Sequence, residues 1–392
     1  MKSIFLILVF LSSMLNAVGL DELIEKALQD NPSLESISHR IAANRSNIES
    51  SNQLANPLIS YTQDTLDDSE KMHKQTLTIS QKLPYFGKRD SLEKVALAQE
   101  GVLNENLEQA RVTLVQEIKN QAFVVWELER QYEIINDYED LTRQNIELFE
   151  SYSSTSDNQH MGIMSAELAL TDLRIQKSTL YAQIHSAYAK LSYLSTVEVK
   201  QLDLSLSVDE MPSQMQLQEG LVNNHSVAMR EKEVLQSSAM AQSVELTNYP
   251  DVNLIGGYSY RNNFDNYWTF GLGVSLPIYG TEDAKEEEAR RLTLASQSLK
   301  EDTKVVVSSE FKSAYLQMKS AHEIYHLVHD DALPQVEHMF DLTSSSIATG
   351  GDLFKYIDIL VQKLKLEQRS ITAVADYNQA QAKIAALSGE LK

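Results

Sequence analysis

The chain repeats itself at an offset of 193 residues. Asn56-Pro57 opens a stretch that closes at Leu83-Pro84-Tyr85-Phe86-Gly87. Tyr249-Pro250 opens a second that closes at Leu276-Pro277-Ile278-Tyr279-Gly280, with the same proline-to-proline spacing. Ahead of each copy, residues 27–34 align without a gap with residues 220–227. Self-similarity over nearly half a chain implies two equivalent structural units in one protomer. The expected organisation is a leader at 1–19, a first repeat at 20–195 and a second repeat at 216–392. Each repeat holds one proline-bounded hairpin, at 57–83 and 250–276. The segment 196–215 has no counterpart at the repeat offset.

Met1-Lys2-Ser3 is a short basic start, followed by an apolar run to Leu15 and the small residues around Ala17 and Gly19. This pattern predicts an export signal, since the run is too short to span a bilayer as a helix. An uncleaved anchor is the alternative. The chain has no cysteine, which removes disulfides, thiol catalysis, cysteine-ligated metal and a lipidated N-terminal cysteine. Its formal net charge of -21 argues against nucleic acid as a partner, because phosphate neutralisation needs an excess of Lys and Arg. Solubility and a cation-tolerant lumen both accommodate such acidity.

Sparse proline and glycine predict long helices. No proline stands between Pro84 and Pro212, and across residues 90–151 Gly101 is the single glycine. A helix over that stretch is about 90 Å long. Leu114, Ile118, Gln121, Val125, Leu128, Tyr132 and Ile135 recur at 4-3-4-3 spacing. The repeat carries Val307, Phe311, Ala314, Met318, Ala321, Tyr325 and Val328 in the same phase. A sustained heptad seam predicts helices packed side by side. Polar breaks at residues 153–158 and 344–352 precede second helices over 164–194 and 353–387, so each half reads as a helical hairpin.

The proline-bounded segments have a different period. Leu77, Ile79 and Leu83 alternate with Thr76, Thr78, Ser80 and Lys82. Trp268, Phe270, Leu272, Val274 and Leu276 alternate with Thr269, Gly271, Gly273 and Ser275. Period-two alternation marks strands with one apolar and one polar face. Each segment has room for two strands of about ten residues, near the length that crosses an outer membrane. Loops are expected at 66–73 and 262–267. An ordinary half-buried sheet is the competing reading. Against it stand the long flanking helices, the small hydroxylic polar face, and aromatics near strand ends: Tyr61, Tyr85, Phe86, Tyr258, Tyr260, Tyr267, Trp268 and Tyr279. Four strands cannot close a barrel and lipid tolerates no open sheet edge, so the strands must be pooled between chains. Three chains would supply twelve strands under cyclic symmetry.

These features together resemble the TolC-like outer membrane factor family, the exit ducts of tripartite efflux and type I secretion systems. The resemblance rests on the duplicated layout, the Asn-Pro and Leu-Pro borders of the first hairpin, and two motifs. Gly162-Ile163-Met164-Ser165-Ala166-Glu167-Leu168 is similar to the family pattern after the first helix turn. Leu333-Pro334 with Gly350-Gly351 and Asp358-Ile359-Leu360 is similar to its second-half counterpart. The spacing from Gly351 to Asp358 is about one residue longer than usual. The resemblance implies a mostly α fold with β: long coiled-coil hairpins forming a periplasmic tunnel, plus four β-strands per chain in a 12-stranded trimeric transmembrane β-barrel. It also implies a homotrimer in outer membrane lipid of a Gram-negative bacterium, with 196–215 at the tunnel's waist. A periplasmic adaptor and an inner-membrane pump would open it, and no cofactor is expected. The border Gln81-Lys82-Leu83-Pro84-Tyr85-Phe86-Gly87-Lys88-Arg89 resembles that of the heavy-metal branch, which pairs with resistance-nodulation-division cation pumps.

At the implied periplasmic tips stand Gly162, Ser165, Glu167, Asp172, Gly350, Gly351, Asp352 and Asp358. A ring of carboxylates would favour cations; the plainer role is helix N-terminal acids complementing the macrodipole. The glycines read as turn formers. His322, His326 and His329 fall at i, i+4 and i+7, a spacing that could suit a transition metal, but they sit one position off the seam and the first copy has nothing similar, so a solvated helix flank is the favoured reading and no metal site is expected. Met211 and Met215 offer thioethers or simple packing. The chain carries no Gly-x-Ser-x-Gly elbow, His-Glu-x-x-His or phosphate loop, so no enzyme is expected. The expected function is an efflux duct for metal cations or small toxic compounds. Type I protein secretion and a soluble periplasmic coiled-coil scaffold are the alternatives.

Overall fold

The computed structural model describes residues 17–64, 73–152, 157–347 and 352–391. The bulk of the expected leader, nearly all of the loop at 66–73, the start of the break at 153–158, and Gly350 and Gly351 lie outside the described residues. In chain order the elements are β1 (Val18–Gly19), α1 (Leu20–Asp30), α2 (Pro32–Ser51), β2 (Leu58–Gln63), β3 (Lys74–Leu83), α3 (Lys88–Tyr152), α4 (Asp157–Ser195), β4 (Leu202–Asp203), α5 (Gln214–Glu219), α6 (His225–Glu245), β5 (Val252–Arg261), β6 (Tyr267–Val274), α7 (Thr281–His326), a π-helical segment (Leu327–Ala332), α8 (Leu333–Ile347) and α9 (Leu353–Leu387).

The compact units are not the sequence repeats. One unit takes residues 17–32, 110–222 and 308–391; the other takes 33–109 and 223–307. Each unit therefore draws on both repeats. Val18 and Gly19, inside the expected leader, are folded: they pair in parallel with Leu202 and Asp203, and the Val18 amide donates to the Gln201 carbonyl at 3.1 Å.

In the second unit, β2-β3-β5-β6 form one antiparallel sheet in that order. The prolines bound it for a simple reason. Lacking an N–H, they cannot extend a ladder; Pro57 and Pro84 adjoin β2 and β3, while Pro250 precedes β5 by two residues and Pro277 follows β6 by three. The strand-to-helix bends repeat too. Gly87 and Gly280, equivalent at the repeat offset, both have positive φ, at 88° and 74°, which only glycine adopts freely. Asn224 caps α6 by accepting from the Val227 amide at 3.0 Å, satisfying one orphan donor of the first turn.

In the first unit the heptad seam is the core. Ile118, Val125, Ile135, Phe311, Ala314, Met318, Ala321 and Val328 are buried, and Gln121 satisfies its amide on the Ala187 carbonyl at 3.2 Å. A second cluster joins α3, α4 and α9 through Ile135, Phe149, Ala166, Leu173, Tyr356 and Leu360. The Tyr356 hydroxyl accepts from Asn145 at 3.0 Å.

Two expectations need correction. The helix predicted from residue 164 begins at Asp157, so Gly162 lies inside α4 and is no turn former. The second long helix is also not continuous. It widens into the π-helical segment immediately before Pro334, whose ring has no amide donor and crowds the carbonyl four residues back.

Glu139 is the buried charge of the first unit, with 8% of its side chain exposed. Lys177 donates to it at 2.8 Å, Arg143 at 2.7 Å and Arg174 at 3.3 Å. The Lys177 hydrogen bond above all holds its carboxyl below the ordinary range, against the opposing effect of burial. Replacing Glu139 with Gln leaves three cations clustered without their anion. The substitution is expected to destabilise the unit by about 1–3 kcal/mol, read as a lower denaturant midpoint in detergent.

Candidate functional site

The registers decide what each face of the sheet presents. Residues paired across antiparallel strands share a face. Leu77 pairs with Tyr61 and Tyr258, and Tyr258 with Trp268. Ile79 pairs with Ile59 and Gly256, and Gly256 with Phe270. One face therefore carries Ile59, Tyr61, Leu77, Ile79, Leu254, Tyr258, Tyr260, Trp268, Phe270, Leu272 and Val274, each 37% to 84% exposed. The other carries Ser60, Thr62, Thr76, Thr78, Ser80, Gly257, Ser259, Thr269, Gly271 and Gly273. There the Thr76 and Ser259 hydroxyls meet at 3.0 Å. Leu58, Ile255 and Tyr267 are the large apolar or aromatic exceptions on this otherwise small polar face.

This is the reverse of a soluble half-buried sheet, which would cover its large apolar side chains. An apolar face so continuous needs an apolar solvent or a partner. Among the described residues no helix is long and apolar enough to cross a membrane. At its ends β2 pairs with β3 alone and β6 with β5 alone.

The predicted aromatics fall at both ends of the strands. Near the prolines, Tyr85 stacks on Tyr249 with centroids 4.5 Å apart. Phe86 and Tyr279, equivalent in the repeat, are 89% and 90% exposed. Towards the hairpin turns, Trp268 meets Tyr258 at 5.0 Å, and the Arg261 guanidinium lies 4.8 Å from the Tyr267 ring. Tyr61 and Tyr260 stand exposed on the apolar face. Sequence reasoning missed Tyr249 and Phe264, which join these groups; their signal was their place beside Pro250 and in the second loop.

At the far end of the helical hairpins, Gly162 packs against the start of α9. A Cβ there would meet the Leu353 Cβ at 3.1 Å, closer than most side-chain contacts allow. Asp352 caps α9, accepting from the Phe354 and Lys355 amides at 3.0 and 3.4 Å. This is the plainer of its two expected roles. Glu167 and Asp358 are exposed, Asp358 accepting from Gln362 at 2.8 Å, and Asp172 accepts from Gln176 at 2.7 Å. Ser165 is half-buried. The three histidines do not converge. His329 lies after the helix has widened and stacks flat on Tyr325, at 5.3 Å, while His322 and His326 stay together. Among the described residues no group of three His, Asp or Glu side chains is placed to hold a metal ion.

Residues 23–196 match the sequence description of the outer membrane efflux protein family. Over that first repeat the chain is similar to the family. No curated protein matches the sequence. The fold of nearly the whole chain is shared with solved outer membrane channels. The open state of the Neisseria gonorrhoeae MtrE channel superposes with a TM-score of 0.82 at 15% identity, covering 95% of this chain and 89% of that one. CusC gives 0.80 at 14%, covering 95% and 92%. The Campylobacter jejuni CmeC channel gives 0.79 at 12%, covering 94% and 85%. The family match and the shared fold are both those of outer membrane channels, and neither comparison points to an enzyme.

The base of the sheet is fastened by Asp251, just ahead of β5. Its carboxylate accepts from Lys88 at 2.6 Å and from the Tyr85 amide at 2.9 Å, with Lys82 at 3.1 Å. Lys88 also donates to the Tyr249 carbonyl at 2.7 Å. The cluster ties the start of the second hairpin to the end of the first and to α3. Its sequence signal was faint: Lys82 breaks the hydroxylic alternation that Ser275 keeps at the equivalent position. Partial burial raises the Asp251 carboxyl, but Lys88, the Tyr85 amide and Lys82 outweigh it and hold the group down at about 2. A depressed carboxylate stabilises above its unfolded value and loses that contribution as pH falls through the folded one. The wild type is expected to lose about 2 kcal/mol between about pH 4 and pH 2. Asp251→Asn should lack that amount at neutral pH and show no such step, which denaturation of the detergent-solubilised protein at stepped pH measures.

Proposed function

We propose that the chain is the outer membrane exit duct of a tripartite efflux system. Three copies form a passive channel in a Gram-negative outer membrane. A periplasmic adaptor and an inner-membrane pump, of the resistance-nodulation-division type, open it and supply the energy. The observation that carries this reading is the sheet: an exposed apolar face, a small polar face and two unpaired edges. The four strands alternate in direction, so β2 and β6 run oppositely and copies can join edge to edge with every pair antiparallel. Closure then leaves no backbone donor or acceptor facing lipid. The same face weighs against a soluble scaffold, which would expose it to water. The exposed aromatics Tyr61, Tyr85, Phe86, Tyr258, Tyr260, Trp268 and Tyr279 suit the interfacial girdles of such a barrel. Metal cations or small toxic compounds are the favoured cargo, supported by the acidic composition and the Gln81–Arg89 border. Type I secretion uses a duct of the same build.

The internal repeat also gives the joint between copies. Leu83 pairs with Val252 and Ser80 with Ile255 within one chain. Moved by the repeat offset, these pairs become Leu276 with Ile59 of the partner subunit and Gly273 with Thr62 of the partner subunit. In this cysteine-free chain, combining Gly273→Cys with Thr62→Cys should give an oxidant-dependent ladder ending at a trimer. Gly273→Cys with Tyr61→Cys, which place their thiols on opposite faces, should give none. A soluble monomer, or cross-linking by the slipped pair instead, would overturn the assembly.

The tip is proposed as the gate, with Gly162, Ser165, Glu167, Gly350, Gly351, Asp352 and Asp358 around it. Asp358 is the exposed carboxylate for a constricting ring. Asp358→Ala should raise single-channel conductance in planar bilayers and weaken block by divalent cations. Unchanged conductance and block would remove Asp358 from the gate.

A further inference from the structure

We propose a two-histidine copper(II) or nickel(II) site on α7, formed by His322 and His326 and oriented by Asp330. The two imidazoles are one helical turn apart with ring centroids at 4.4 Å. A metal about 2.0 Å from a ring nitrogen stands about 3.2 Å from that ring's centroid, so an ion in line with one nitrogen of each ring would see them about 90° apart. That is the angle between neighbouring ligands in a tetragonal complex, the geometry of copper(II) and nickel(II) bound through nitrogen and oxygen. It is tighter than the tetrahedral angle of zinc.

Asp330 completes the arrangement. Its Oδ2 lies 2.8 Å from Nδ1 of His326, a contact that favours the tautomer with the hydrogen on Nδ1 and the Nε2 lone pair free for a metal. A carboxylate behind the imidazole fixes the ring and raises its basicity, the usual arrangement behind a metal-bound histidine. The ring of Tyr377 stands 6.1 Å from His322 and flanks the pair. His326 and Asp330 are exposed and His322 is half-buried, so an ion can enter without unfolding and water can fill its remaining positions. His329 is excluded because its ring is flat against Tyr325. The site does not depend on what the duct carries.

Copper(II) titrated into the full chain in detergent tests this, read by electron paramagnetic resonance and by competition with a calibrated chelator. The expected result is one copper per chain with coupling to two nitrogens. His322→Ala and His326→Ala should each lose the two-nitrogen signal, and Asp330→Ala should weaken binding about tenfold or more. His329→Ala should leave both unchanged. Alanine at these positions favours helix, and circular dichroism checks that each variant keeps its fold. A copper signal that persists in the His322→Ala, His326→Ala double variant belongs to another part of the chain, such as its amino terminus, and overturns the proposal. So does the absence of copper binding by the folded wild type.

Discussion

An exposed strand edge in lipid is the constraint from which the rest follows. Each unpaired amide or carbonyl there has no water to turn to, and its cost is several kcal/mol. One protomer brings four strands and two such edges. In the proposed assembly it supplies both halves of a joint that it cannot itself close. The duplicated sequence meets that demand economically. The pairing between β3 and β5 is made within the chain, and an equivalent pairing is left for β6 and β2.

That equivalence is not complete. Within the protomer the joint is locked at its base by Asp251 with Lys82 and Lys88. At the corresponding positions the repeat offers Leu58, Ser275 and Thr281. A joint formed as the chain folds can carry a partly buried ion pair whose desolvation is met by several donors at once. A joint between separately folded copies would be made with smaller and neutral groups, which ask for less exact approach.

Much of this was legible in the sequence because it rests on periods. Alternation gave the faces of the strands, prolines gave their ends, and the seam through Ile118, Val125 and Met318 gave the helical core. What escaped was set by geometry that no period encodes. Gly162 read as a turn former, but it is a point of close approach to Leu353. His322, His326 and His329 read as one face of a regular helix, but the turn widens before Pro334 and rotates His329 away. Asp352 accepts from the Phe354 and Lys355 amides, a cap whose geometry the spacing alone did not specify. Asp251 drew no notice because its partners lie more than 160 positions away in the chain.

The interleaving of the two repeats has a consequence for how the protein comes into being. Neither compact unit is complete until the second repeat has been made. The cluster built on α3 and α4 waits for Tyr356 and Leu360 of α9, the last helix to be synthesised. The strand β3 waits for β5, more than 160 residues behind it. The first half of the chain must therefore be kept from premature association while it is unfinished, with its apolar strands and heptad seams uncovered. A chain cut anywhere between the repeats leaves two fragments, each lacking part of both units.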